Sequence, residues 1–67
     1  MRMGHAGSAI REMRRAQDLS LRDLASLSGT SYAYLSLVER GMREPTERWL
    51  RAVTEALGRH MAGGDAA

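Results

Sequence analysis

The sequence contains no cysteine, lysine, asparagine or phenylalanine, and only one proline and one isoleucine among its 67 residues. Without cysteine there is no disulfide scaffold, no cysteine-ligated zinc or iron–sulfur centre and no thiol nucleophile. No apolar run comes near the ~20 residues of a membrane-spanning helix, and Met1–Gly7 lacks the apolar stretch of a secretory signal. The marks of strands, period-two alternation and β-branched clusters, are missing as well. His5 and His60 have no carboxylate at ligand spacing, so no metal and no cofactor is expected, and no nucleophile–base pattern points to an enzyme. These exclusions leave one small all-α domain, expected in the cytoplasm, that must stand on packing alone.

All the basic residues are arginines, ten of them against eight acids, for a net charge of +2. They are unevenly placed. Residues 1–43 hold seven Arg against four acids, and residues 44–67 hold three against four. A basic first two-thirds points toward a polyanion, although a solvated surface can carry the same charge.

Apolar spacing marks four short helices. The first runs from Ser8, a possible cap, to Gln17, with Ile10 and Met13 facing inward. Ser20 caps the second, Asp23 completes a capping box, and Leu21, Leu24, Ala25 and Leu27 form its stripe. Ser28-Gly29-Thr30 breaks the chain, and Ser31 restarts a third helix that turns Leu35 and Val38 inward until Gly41. Pro45 and Thr46 open the fourth, which buries Leu50, Val53 and Leu57 and is expected to stop at Gly58. Residues 1–7 and 59–67 are expected to be flexible arms flanking a domain over 8–58. Trp49, beside the stripe of the fourth helix, is expected to pack on the first.

Two of these features carry more than architecture. Two helices of about two turns each, joined by a short Gly-containing turn, form a helix-turn-helix unit, with Ala25 small where the helices cross. Arg14 lies four residues after Ile10, and Glu39 one after Val38, so both lean inward. Each would be costly alone at low dielectric. A bidentate Arg14–Glu39 contact between the first and third helices is the expected solution.

The stretch Ile10–Gly58 carries Leu19-Ser20, Leu24-Ala25, Gly29, Tyr34-Leu35-Ser36, Glu39-Arg40-Gly41 and Pro45. It resembles the phage repressor/Cro-type, or XRE, family of helix-turn-helix domains. The resemblance implies a lambda-repressor-like bundle of four or five short helices. It also implies sequence-specific binding of double-stranded DNA by a transcriptional regulator, a repressor or Cro-like protein of bacterial or phage origin. Carried over, the unit is 21–40, with helix 31–40 reading the major groove. Ser31, Tyr32, Ala33, Tyr34, Ser36 and Leu37 then fall at base-facing positions. Ser20, Leu21, Arg22, Arg40 and Arg43 fall at phosphate positions, and the resemblance supports the Arg14–Glu39 bridge too.

The chain departs from that pattern in two ways. The family often has a fifth helix that supplies a dimer contact, whereas nine Gly-rich residues follow Gly58 here. A monomer that pairs weakly on DNA is therefore expected, with no membrane involved. The base-reading positions also lack the Gln, Arg, Lys or Asn that often hold them, and Tyr32, Ala33 and Leu37 suit thymine methyls instead. That apolar face admits a second reading, a module that keeps the fold but grips a protein partner with its third helix.

Overall fold

A computed structural model describes residues 5–66, which form four helices: α1 (His5–Ala16), α2 (Leu21–Ser28), α3 (Tyr32–Glu39) and α4 (Glu47–Ala66). The fold is an all-α helix-turn-helix domain. α4 packs on α1 and α2, and α3 also packs on α1 and α2. Among the described residues, no helix is long and apolar enough to cross a membrane.

Local chemistry sets the helix boundaries. Ser20 Oγ accepts from the Asp23 amide, and Asp23 Oδ2 accepts from the Ser20 amide, both at 2.9 Å. This reciprocal box satisfies two donors of the α2 entry. Ser31 and Thr46 cap α3 and α4 by accepting from the amides of Tyr34 and Trp49. α1, α2 and α3 each end on a residue of positive φ, respectively Asp18, Gly29 and Gly41. At each end the next amide folds back five residues: Leu19 to Arg14 O, Thr30 to Ala25 O, Met42 to Leu37 O. These are three Schellman closures, and an aspartate fills the left-handed position in the first.

The core is Ile10, Leu24, Ala25, Leu35, Val38, Val53 and Leu57, with Leu19, Leu21, Tyr34, Trp49 and Leu50 packed against it. Two residues expected inside stay out, Met13 at 39% exposure and Leu27 at 43%. The inward face of α1 is instead Gly7, Ile10 and Arg14, spaced i, i+3, i+7. That face turns Met13 aside.

Helix extends into both expected arms. Residues 1–4 and Ala67 lie outside the described residues, but α1 already begins at His5, so Ser8 sits inside it rather than capping it. Gly7 is buried where α1 meets the end of α3. A Cβ there would collide with the Val38 carbonyl oxygen and approach Glu39 Cα to 3.0 Å. α4 does not stop at Gly58 but continues to Ala66. Its continuation is tethered: Gln17 Nε2 donates to Leu57 O at 3.1 Å, and Gln17 Oε1 lies 2.8 Å from His60 Nδ1.

Candidate nucleic-acid interface

α2 and α3 are too short to be stable in isolation, so the orientation of α3 is set by what grips it. Its N-terminal end is held by α4. Trp49 Nε1 donates to Thr30 Oγ1 in the turn at 2.6 Å, and the Trp49 and Tyr34 rings meet edge to face at 5.1 Å. Trp49 thus packs on the turn and on α3, not on α1 as its spacing suggested. A stripe shows that a residue faces inward without identifying its neighbour.

α1 holds the other end. Arg14 Nε donates to Glu39 Oε2 at 2.8 Å, and Arg14 Nη2 donates to Oε1 at 2.9 Å. Arg14 Nη1 reaches Leu19 O at 2.8 Å. Both residues are buried, Arg14 at 9% exposure and Glu39 at 6%. The hydrogen bond to Glu39 raises the Arg14 pKa further, against desolvation, so the guanidinium keeps its charge. Arg11 adds a donor to Glu39 O at 3.2 Å and lies 3.6 Å from its carboxylate. Among the described residues, every buried side-chain nitrogen or oxygen has a hydrogen-bond partner.

Between these clamps, Leu35 and Val38 lock α3 to the core, and the outer face carries Tyr32, Ala33, Ser36, Leu37 and Arg40. Tyr32, Ala33 and Arg40 are exposed, and Ser36 and Leu37 half-exposed. Two of the expected base-facing residues do not share that face freely. Tyr34 is half-buried against Trp49, because two residues along a helix rotate its ring to the far side from Tyr32. Ser31 is exposed, but its hydroxyl oxygen is engaged in the α3 cap.

The residues at phosphate positions fall into two groups. At the α2 entry, the Asp23 and Ser20 amides are taken by the capping box, leaving the Leu21 and Arg22 amides as first-turn donors at the positive end of the helix dipole. The Arg22 guanidinium lies over the Tyr32 ring, 4.9 Å from its centroid. Arg14, Ser20, Leu21, Arg22 and Tyr32 line a cleft of about 340 Å³ there. Arg40 and Arg43 are exposed beyond the other end of α3. Eight residues of helical rise separate Tyr32 from Arg40, about 12 Å. The arrangement is a largely apolar edge with positive charge at both ends.

Sequence reasoning missed Gly7, the Gln17–His60 tether and the Thr30–Trp49 hydrogen bond. Only Gly7 left a signal, lying three residues before Ile10 on the same face.

Comparison with known proteins adds an independent line. The model of a family described as helix-turn-helix matches residues 10–63. The chain is similar to two uncharacterized HTH-type transcriptional regulators of Mycobacterium tuberculosis. One is 47% identical over 51 residues, covering 76% of this chain and 36% of the relative. The other is 45% identical over 53 residues, covering 79% and 21%. It is also similar to the transcriptional regulator ClgR of the same organism, 37% identical over 51 residues, with 76% and 46% covered. The chain therefore spans only about a fifth to a half of these relatives. No solved structure matches it with comparable significance.

Proposed function

We propose, from the premise that this chain belongs to the XRE-type helix-turn-helix family, that it is a transcriptional regulator binding double-stranded DNA through α3. The observation that carries the reading is the outer edge of α3, braced at both ends and flanked by Arg22, Arg40 and Arg43. In the major groove, Tyr32, Ala33, Ser36 and Leu37 meet base edges. Phosphates lie against the Leu21 and Arg22 amides on one side and against Arg40 and Arg43 on the other, with the Ser20 hydroxyl within the same entry. The family resemblance supports a repressor or Cro-like regulator, acting by occupying its site, in the cytoplasm. Two copies pair on the DNA, with half-sites about one helical turn apart.

The test is anisotropy of a labelled random duplex titrated with protein across a salt series. Three arginine–phosphate contacts give a slope of roughly −3 in log K against log salt. Flat salt dependence, or no binding at low salt, would overturn the reading and favour a protein partner on the α3 edge.

A further inference from the structure

The chemistry of the α3 edge narrows what it can read. Base edges in the major groove offer hydrogen-bond donors, acceptors and the C5-methyl of thymine, and bidentate reading needs an amide, a guanidinium or a carboxylate. The middle of the edge has none. The carboxylate of α3, on Glu39, is locked to Arg14, Tyr34 is turned onto Trp49, and Arg40 stands past the last turn, at the C-cap position rather than in the middle of the edge. What faces outward is the Ala33 methyl, the Leu37 isobutyl group, the Ser36 hydroxyl and the Tyr32 ring. Tyr32 is 44% exposed yet held in place by the Arg22 guanidinium at 4.9 Å. A hydroxyl bonds to donor and acceptor alike, so it discriminates weakly. The apolar groups respond to one feature of the groove, a methyl group.

Resting on the DNA-binding reading above, we infer that this edge sorts sequences by pyrimidine C5-methyl groups, with Ala33 and Leu37 as the specificity-determining residues. Ala33 and Leu37 lie one turn apart, about 6 Å along α3, close to two base-pair steps of ~3.4 Å. The preferred site therefore presents two methyls about two steps apart beneath the helix. Thymine supplies the methyl in unmodified DNA, and 5-methylcytosine presents the same group at the same place. The basic residues at both ends of the edge favour DNA over an apolar peptide as its occupant.

The experiment perturbs the DNA and leaves the fold untouched. Duplexes are selected from a random pool, and each thymine of the selected site is replaced singly by deoxyuridine. Loss of one contacted methyl weakens binding about fourfold, the factor that burial of one such group gives, and loss of two weakens it on the order of fifteenfold. Leu37→Ala, checked for folding by circular dichroism, abolishes the thymine–uracil difference at one position and keeps it at the other. Cytosine and 5-methylcytosine placed at the same position distinguish the sources. A preference for the methylated base extends the reading to both, while equality there confines it to thymine. Binding that is salt-dependent but indifferent to uracil at every position would overturn this inference and leave the proposed function standing. Failure to bind any duplex at low salt would overturn both.

Discussion

Truncating Glu39 to alanine tests how α3 is held more severely than any other single change. The Glu39 side chain is 3% exposed and accepts two hydrogen bonds from Arg14, at 2.8 and 2.9 Å. Its removal leaves the Arg14 guanidinium at low dielectric with only Leu19 O, at 2.8 Å, as a hydrogen-bond partner. Breaking a buried pair in this way costs about 3–5 kcal/mol. A chain of this size has a total stability of roughly 3–10 kcal/mol, at ~0.05–0.15 kcal/mol per residue. The loss is therefore about three-tenths of the whole at least, and all of it at worst. At about 4–8 °C per kcal/mol for a small domain, the melting temperature falls by at least about 12 °C.

The discriminating control removes both charges. Arg14→Met combined with Glu39→Leu replaces the pair by apolar groups, which is often neutral or stabilising, so the double variant recovers most of the lost stability. Thermal and urea denaturation followed by far-ultraviolet circular dichroism measures both variants. Wild-type melting at low and high salt adds a check, because a buried pair is little screened. If Glu39→Ala costs no more than a surface ion pair does, about 1 kcal/mol or less, the clamp is not what holds the C-terminal end of α3.

Arg43→Ala is expected to weaken binding equally on all duplexes and to make the salt slope shallower by roughly one unit; a loss confined to one sequence would refute the phosphate role. The same substitution at two glycines has opposite signs. Gly7→Ala drives a methyl into the α3 backbone and costs about 1–3 kcal/mol. Gly58→Ala fills open space inside α4 and adds about 0.5–1 kcal/mol; urea midpoints that move together would contradict this. The Asp23 pKa is lowered, first by the Ser20 amide and then by the Ser20 hydroxyl. A lowered folded pKa stabilises above the ordinary aspartate range, and its contribution fades as pH falls through the folded value. Asp23→Asn should flatten that part of the stability–pH curve, and an unchanged curve would exclude the box as an acid-sensitive element. Thr30→Val removes the acceptor for Trp49 Nε1 at constant shape. The expected loss is about 0.5–1.5 kcal/mol, together with a smaller thymine-over-uracil preference; unchanged melting and preference would show the turn to be held without it.

The helix order, the turn and most of the core are legible from spacing and caps, because these are local properties of the chain. Ser20 with Asp23, Gly29 and Ser31 each act within a few residues, and Leu24, Leu35, Val38, Val53 and Leu57 are buried wherever the helices dock. The inward positions of Arg14 and Glu39 can be read as well, since two leaning charges of opposite sign have one inexpensive solution. What spacing leaves open is the choice between neighbouring faces. From Ile10 both Met13 and Arg14 can face inward, and apolar character gives no ground to turn the methionine out. The structure buries the arginine because Glu39, far along the chain, waits for it and Gly7 lets α1 approach. The end of α4 was obscured differently. Gly58, Gly63 and Gly64 read as a stop, since each costs about 1 kcal/mol in a helix. The stripe of Val53, Leu57 and His60 continues across Gly58, fastened by Gln17.

On the proposed DNA-binding reading, clamping α3 to different partners at its two ends bears on how an edge with few hydrogen-bonding groups would hold DNA. Binding loses affinity to the ordering of side chains and backbone, about 0.5–1.5 kcal/mol for each mobile side chain immobilised. That loss is comparable with what a methyl contact returns. An eight-residue helix free to tilt would cancel its own apolar contacts. Here Trp49 and Thr30 fix the entry of α3, Arg22 steadies Tyr32, and Arg14 with Arg11 fixes the exit next to Arg40. The entry clamp governs where Tyr32 and Ala33 lie and so acts mainly on discrimination. The exit clamp governs where Arg40 and Arg43 lie and so acts mainly on salt-dependent affinity. Weakening one without the other would separate the two properties in a single domain. That separation would not occur if α3 were positioned only by the core beneath it.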